Sequence, residues 1–290
     1  MARHRTVHWF AATVMAALAL GAFAPAVAAQ TEEEGYDYRE PQRTQPDFTV
    51  VNLPTTLGLP PAGIAFRVTH RFTRPLGQGS FADSLSDLFG LDSSAQVGLE
   101  LRFGLPAGLQ AGIYRTNDKT IDLFAHYGLL RPSDDRVVSI ALTASVEGAD
   151  NFKDDHAPSV GAVVGVRVGQ VLALYLQPAW VGNTRTALSD APGDDDSTFL
   201  LGLGGRLLVR RGLYLVAEAA PRLAGFKGGS AVAGSGGTVL AFGVEKQVGG
   251  HVFQVNVSNG FATMPAKLAR GTAGGETEWY LGFTISRKFY

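Results

Sequence analysis

The 290-residue chain contains no cysteine. Disulfide bonds, cysteine-based zinc sites, covalent c-type haem and thiol catalysis are therefore excluded. Beyond the first 29 residues, the sequence also lacks any run of 18 apolar residues, so it predicts no transmembrane helix in the mature chain. Helical periodicity is scarce, and the best helix candidate is the short stretch 81–90 inside a predicted loop. These absences argue against an α-helical fold.

The first 29 residues differ from the rest in composition. Arg3 and Arg5 precede a long apolar run, and an A-x-A pattern ends at Ala28. This order predicts a cleaved secretory signal peptide over residues 1–29, with a permanent membrane anchor as the alternative. Removing Arg3 and Arg5 leaves 23 basic against 26 acidic residues, a net charge of −3. No nucleic acid is therefore expected as a partner.

The remainder of the chain alternates between apolar and small or polar residues. In the C-terminal EWYLGFTISRKFY, for example, Leu281, Phe283 and Ile285 alternate with Gly282 and Thr284. About twelve such segments, mostly of about nine to twelve residues, follow one another. The alternation predicts β-strands long enough to cross a bilayer at a tilt.

The connections between these segments alternate in length. LPAG, RPSDDR, VGQ, RRG and VGGH are tight, whereas most of the others are long and polar, for example EGADNFKDDHAPS and GNTRTALSDAPGDDDST. Only RTNDKT is short where a long loop is expected. A soluble β-sandwich gives no reason for this regularity. The pattern predicts an all-β fold, a transmembrane antiparallel up-and-down β-barrel of about twelve strands over residues 61–290.

Aromatic residues on the apolar face fall near the ends of the predicted strands. Two such rings that bracket an aliphatic band are typical of the girdles of a lipid-embedded barrel. The predicted girdle consists of Phe72, Phe103, Trp180, Phe199, Phe253, Trp279 and Phe289.

The C-terminal strand indicates how the barrel closes and in which membrane the protein lies. An apolar terminal strand invites aggregation unless it pairs, so we expect it to close the ring against the first strand. It resembles the C-terminal signal that the bacterial barrel-assembly machinery recognises, with Phe289 as the in-phase aromatic residue. We expect a Gram-negative outer-membrane protein with both mature termini in the periplasm. Its expected partners are that machinery and outer-membrane lipid, including lipopolysaccharide. Residues 30–60 are predicted to form a periplasmic leader or, alternatively, a plug folded into the lumen.

Chemical sites are few. His70, His126, His156 and His251 lack metal-ligand spacing and are interpreted as wall or surface residues. No G-x-S-x-G motif is present, and neither a catalytic residue nor a cofactor is predicted, although separate strands could assemble a hydrolase triad. The acidic loop at residues 190–196 could bind calcium, but a solvated loop is favoured because EF-hand spacing is absent. That loop contains Asp190, Asp194, Asp195 and Asp196.

The polar side chains that alternate with the apolar ones are predicted to line the lumen of the barrel. Charges in a narrow cavity are costly unless paired, so arginine–carboxylate bridges are expected there. About twelve strands leave a narrow interior, which favours a channel or transporter for small solutes. The alternative is a non-conducting barrel that acts as an anchor, an adhesin or a partner of a periplasmic complex. The lumen-facing candidates are Arg67, Arg71, Glu100, Arg102, Asp122, Arg167, Arg206, Glu218 and Glu245.

Three stretches near the start of the barrel carry a closer resemblance. They are VNLPTTLGLP, then FRVTHRF at residues 66–72, then LFGLDSSAQVGLELRFGL at residues 88–105. Together they resemble an uncharacterised family of bacterial outer-membrane barrels that is known only as a domain of unknown function. The resemblance covers roughly the first third of the mature chain. It implies a β-barrel but no activity, and therefore no functional residues.

Overall fold

A computed structural model describes residues 44–78, 94–133, 136–184, 196–226, 237–272 and 278–289. The predicted signal peptide, the helix candidate at residues 81–90 and most of the acidic loop at residues 190–196 lie outside these ranges.

One antiparallel sheet contains all the strands, and it closes on itself because the first strand pairs with the last. Val68, for example, lies opposite Ile285. The strands are β1 (Ile64–Phe72), β2 (Ala95–Gly104), β3 (Leu109–Thr116), β4 (Ile121–Leu130), β5 (Val138–Gly148), β6 (Asp154–Val168), β7 (Leu172–Gly182), β8 (Ser197–Arg210), β9 (Leu213–Ala220), β10 (Arg222–Gly225), β11 (Val239–Val248), β12 (His251–Ser258) and β13 (Tyr280–Phe289).

Strands β9 and β10 form one crossing of the wall. Both pair with β8, and only Pro221 separates them. Proline has no N–H group, so it interrupts the ladder of hydrogen bonds. The wall is therefore a closed antiparallel barrel of twelve crossing strands, which confirms the predicted fold class and strand number.

Apolar side chains point outward and polar side chains point inward, which is the reverse of a soluble protein. Leu99 is 50% exposed and Val255 is 57% exposed on the outside, whereas Glu100 and Gln254 are buried inside. Such a wall is stable only when lipid covers its outer face. The structure places the predicted girdle residues at strand ends, with Phe103, Phe199, Phe253 and Phe289 exposed. Trp180 and Trp279 are partly covered, and Phe72 is buried against His70 and Phe283.

The two mouths of the barrel differ. The connections after β2, β4, β6, β8 and β11 lie at one mouth, here called the turn end, together with both ends of the barrel sequence. The connections after β1, β3, β5, β7, β10 and β12 lie at the other mouth, the loop end.

Two expectations about the connections are wrong, one at each mouth. EGADNFKDDHAPS is not a long loop, because Asp154 already begins β6 and only a tight turn joins it to β5; the turn, α1 (Ala149–Phe152), is followed by Lys153 and contains three residues with positive φ. His156 consequently lies in β6, although the pairing of β6 with β5 begins only at Ala157, opposite Glu147. At the turn end, His251 is the first residue of β12 rather than part of a turn.

Short helical elements complete the structure. A 3-10 turn spans Pro106–Gly108, and the helix α2 (Pro265–Arg270) lies in the connection between β12 and β13. In the part of the chain that the structure describes, no helix is long and apolar enough to cross a membrane.

Candidate functional site: the barrel lumen

Residues 44–59, here called the lumen segment, lie inside the barrel. All of them except Pro54 and Gly58 are buried. Residues 48–55 form a hairpin, here called the lumen hairpin, in which Val50 N donates to Leu53 O at 2.8 Å and Thr55 N donates to Phe48 O at 2.8 Å. The sequence VNLP supports this turn, because asparagine and proline favour tight turns. The segment enters and leaves at the turn end, so the tip of the hairpin points towards the loop end.

Glu218 on β9 holds the tip of the hairpin. Its carboxylate accepts hydrogen bonds from the backbone N–H groups of Val51 at 2.9 Å, Asn52 at 2.9 Å and Leu53 at 3.0 Å. The side-chain amide of Asn52 donates to the same carboxylate at 2.6 Å. Successive backbone N–H groups that converge on a carboxylate form a strong, charge-assisted contact.

Further polar contacts fix the sides of the hairpin. Arg67 donates to Thr49 Oγ1 at 2.8 Å, and Arg206 donates to the carbonyl oxygen of Thr49 at 2.7 Å. Gln254 donates to the carbonyl oxygen of Val50 at 2.7 Å. Most of these partners are inward-facing side chains of the wall, so the segment replaces water that would otherwise solvate them.

At the turn end, the lumen segment contacts the closing strand. Ser286 donates to Asp47 Oδ2 at 2.8 Å, and Lys288 donates to the carbonyl oxygen of Pro46 at 2.6 Å. Strand β13 thereby pairs with β1 through its backbone and holds the lumen segment through its inward side chains.

Glycines in β8 let the hairpin approach the wall. A Cβ atom at Gly202 would lie 2.9 Å from Leu53 Cδ2, and one at Gly204 would lie 3.0 Å from Val50 Cγ2. The inner surface of β8 is therefore flat where the apolar side of the hairpin packs. Val50 and Val51 also pack against Val163 in a buried cluster.

The predicted lumen-facing residues form separate groups. Arg67 and Arg102 both pair with Glu100, at 2.5 and 2.9 Å. Arg206 pairs with Glu245 at 3.0 Å, and both side chains are fully buried. A buried charge requires such a partner.

The remaining candidates have different surroundings. Arg71 donates to Asn256 Oδ1 and to the carbonyl oxygen of Gly260, both at 3.0 Å. Arg167 is half-buried near the turn end of β6. Asp122 is buried near the loop end, and no described side chain forms an ion pair with it.

Helix α2 covers part of the loop end. Arg270 pairs with Glu147 at 2.6 Å and Lys267 pairs with Asp118 at 2.5 Å. Leu268 belongs to the same buried cluster as Leu53 at the tip of the hairpin. The two elements therefore meet inside the barrel, one from each mouth.

A cavity of about 80 Å³, here called the chamber, remains between these elements and the wall. Thr49 and Asn52 of the hairpin line one side, and Leu268 of α2 lines another. The wall contributes polar side chains, among them Asp122 and His126. The described residues contain no group of three or more histidines or acidic residues that could hold a metal ion.

Comparison with known families settles the class of the barrel. Residues 47–289 match the family model described as "Membrane bound beta barrel domain (DUF5777)". The chain belongs to this family. The resemblance seen at the start of the sequence is thereby confirmed and extends over the whole barrel.

Several solved structures are similar to this DUF5777 barrel at very low sequence identity. NanC porin has a TM-score of 0.52 and 9% identity, over 78% of this chain and 100% of that chain. KdgM porin has a TM-score of 0.47 and 9% identity, over 79% and 99%. LpxR from Salmonella typhimurium has a TM-score of 0.39 and 12% identity, over 79% and 100%. A comparison with curated protein sequences found no match.

Sequence reasoning missed several side chains that line the DUF5777 lumen. Gln177 and His126 occupy inward positions that the alternation had marked, but neither was singled out as part of a site. Glu147 was missed because it was assigned to a loop. Glu218 was expected to pair with arginine, yet it binds backbone N–H groups. The turn-forming VNLP sequence was the available signal for this hairpin.

Proposed function

We propose that this protein is a narrow outer-membrane channel for small solutes, and that the lumen segment closes it at rest. The observation that carries the proposal is the contact between Glu218 and the tip of the hairpin. It holds a separate stretch of chain inside a polar lumen that the wall itself does not fill. The shared fold with a protein named a porin supports a transport role.

The contacts of the hairpin are of a reversible kind. A typical hydrogen bond contributes only about 0.5–1.5 kcal/mol net, because water can replace the partner. When the hairpin leaves, water can solvate Glu218, Arg206 and Gln254 in the same way. The apolar contacts on β8 favour the closed state, so the channel rests closed and opens when the segment is displaced.

The proposal also includes location and partners. The signal peptide at residues 1–29 directs export, and β13 is read by the barrel-assembly machinery. Both mature termini then lie in the periplasm, and the loop end faces the outside, next to lipopolysaccharide. We propose a transport role rather than an enzymatic one, because most of the charged groups in the lumen are engaged with one another or with the hairpin.

A second candidate is a non-conducting barrel that serves as a membrane anchor. The observation in its favour is the burial of Val50, Val51, Leu53 and Leu59, each at most 2% exposed. A segment so well packed could remain in place permanently.

Single-channel recording in planar bilayers separates the two candidates. We expect rare openings from the full chain and frequent, discrete openings after deletion of residues 44–59. Glu218→Gln keeps the segment but places an NH₂ group among N–H donors, which costs about 1–3 kcal/mol. We therefore expect its open probability to rise by roughly tenfold or more.

Folding of each variant is checked by the difference in gel mobility between unheated and boiled samples. If the deletion variant does not fold, the recordings of Glu218→Gln distinguish the two candidates. A folded Glu218→Gln protein that remains silent contradicts the channel and favours the anchor.

A further inference from the structure

The chamber between the lumen hairpin and α2 contains buried polar atoms that lack partners. Asp122 Oδ1, His126 Nε2, Gln177 Oε1 and Thr263 Oγ1 have no hydrogen-bond partner among the described residues, and all four side chains line the chamber. The first three side chains are each at most 4% exposed. A buried polar atom without a partner costs about 1–3 kcal/mol, so the chamber is suited to a polar occupant.

The hydrogen bonds of His126 define its role. Gln110 Nε2 lies 3.2 Å from His126 Nδ1 and 3.1 Å from the carbonyl oxygen of Leu57, while Arg102 approaches Gln110 Oε1. The amide group of Gln110 therefore donates to Nδ1, which leaves the proton of a neutral imidazole on Nε2. The chamber accordingly offers a ligand one hydrogen-bond donor, from His126, and hydrogen-bond acceptors from Asp122 and Gln177.

The charge around the chamber is uneven. Glu147 lies directly across from Asp122 on the neighbouring strand, so two carboxylates face each other. Arg270 neutralises Glu147. Among the described residues, Asp122 forms no ion pair, and the two arginines that also line the chamber, Arg67 and Arg102, both contact Glu100. A buried carboxylate in this position requires a proton or a cation.

We propose that the chamber binds one small organic cation with an ammonium group, with Asp122 as its anionic partner and Gln177 as a second acceptor. The inference rests on the proposed function, because it makes the chamber the solute site of the channel. The size of the chamber restricts the ligand. A water-sized group needs at least about 10–15 Å³ of such volume, so 80 Å³ accommodates a molecule of roughly five heavy atoms.

The position of the chamber determines which element a solute must pass to reach it from each mouth of the barrel. Helix α2 separates it from the loop end, and the lumen hairpin separates it from the turn end. A solute held there lies between the two elements, and displacement of either element widens access from its own side.

Equilibrium dialysis of the full chain in detergent tests the inference with ethanolamine as the probe. Incubation over many hours allows slow entry past the lumen hairpin or α2. We expect one ethanolamine per chain, with much weaker binding of ethylene glycol (neutral) and propionate (anionic), which have similar sizes. Asp122→Asn should weaken ethanolamine binding at least tenfold, because it removes the charge and keeps the shape. Asp150→Asn, an exposed aspartate in α1, serves as the matched control and should bind like the wild type.

If Asp122→Asn fails to fold, the comparison of the three probes on the wild-type protein still measures the charge preference. Equal uptake of ethylene glycol and ethanolamine overturns the inference, because the chamber then has no preference for a cation. No uptake of ethanolamine also overturns it. Unchanged affinity in a folded Asp122→Asn protein overturns it as well. These outcomes are independent of conductance: a barrel that binds ethanolamine but stays silent when Glu218 is changed contradicts the proposed channel and not the site.

Discussion

At the scale of single residues, carboxylates fix both elements that close the barrel. Glu218 holds the lumen hairpin through backbone N–H groups, and Glu147 and Asp118 hold α2 through Arg270 and Lys267. Their environments differ, because Glu218 is buried whereas the side chain of Asp118 is 47% exposed. The outer contact is therefore weaker and more sensitive to solvent.

The protonation of Asp118 follows from its contacts. Burial raises the pKa of Asp118, but hydrogen bonds from Lys267 and Thr116 outweigh that effect and lower the pKa to about 2. The folded-state pKa thus lies below the unfolded value of about 4. The contact contributes stability above the unfolded pKa, and the contribution is lost as pH falls from about 4 through about 2.

Asp118→Asn should loosen α2 at neutral pH. An exposed ion pair contributes roughly 0.5–1 kcal/mol, so we expect protection of the amides at residues 265–270 to fall about two- to fivefold. Hydrogen exchange monitored by mass spectrometry measures this, with Asp150→Asn as the control. The wild type should keep its protection between pH 7 and pH 5. Equal protection in both variants would show that Asp118 does not hold the helix.

At the scale of elements, the strands were predictable and the closing elements were not. Alternation, strand length and connection length together predicted twelve crossings, because each strand face meets a uniform environment. The six-residue helix α2 has no such signal: a helix this short is stable only through its tertiary contacts. The strand β6 was predicted too short, because its first residues are polar and resemble a loop, and its pairing with β5 begins only at Ala157.

The depth of a strand position in the membrane should determine the effect of a charge. Val255 lies in the middle of β12 and Val209 lies at the turn end of β8, and both are more than half exposed on the outer face. Val255→Arg should cost roughly 2–4 kcal/mol and Val209→Arg about 0–1 kcal/mol. Urea unfolding in lipid vesicles, followed by tryptophan fluorescence, compares them. Equal losses would mean that lipid does not cover the middle of this face.

At the scale of the whole molecule, parts of the chain itself enter the barrel from both mouths. The contact of Asn52 with Glu218 joins residues 166 positions apart in sequence. Local patterns carry no information about such a pair, so the sequence left open whether residues 30–60 stay outside or enter the lumen. The charged residues of the lumen could be predicted, because alternation determines which side chains point inward. Their partners could not, because these depend on where the segment lies.

A reversible covalent link between the hairpin and the wall tests the central claim most directly. A Cβ atom at Gly204 would lie 3.6 Å from Val50 Cβ, which is within the range for a disulfide, and the chain has no other cysteine. Val50→Cys and Gly204→Cys are combined with Glu218→Gln, so that the unlinked channel opens often. Single-channel recording should show a silent bilayer under oxidising conditions and frequent openings after a reductant is added, while either cysteine alone stays active throughout. Openings of equal frequency in a fully cross-linked and a reduced sample would contradict closure by the lumen segment.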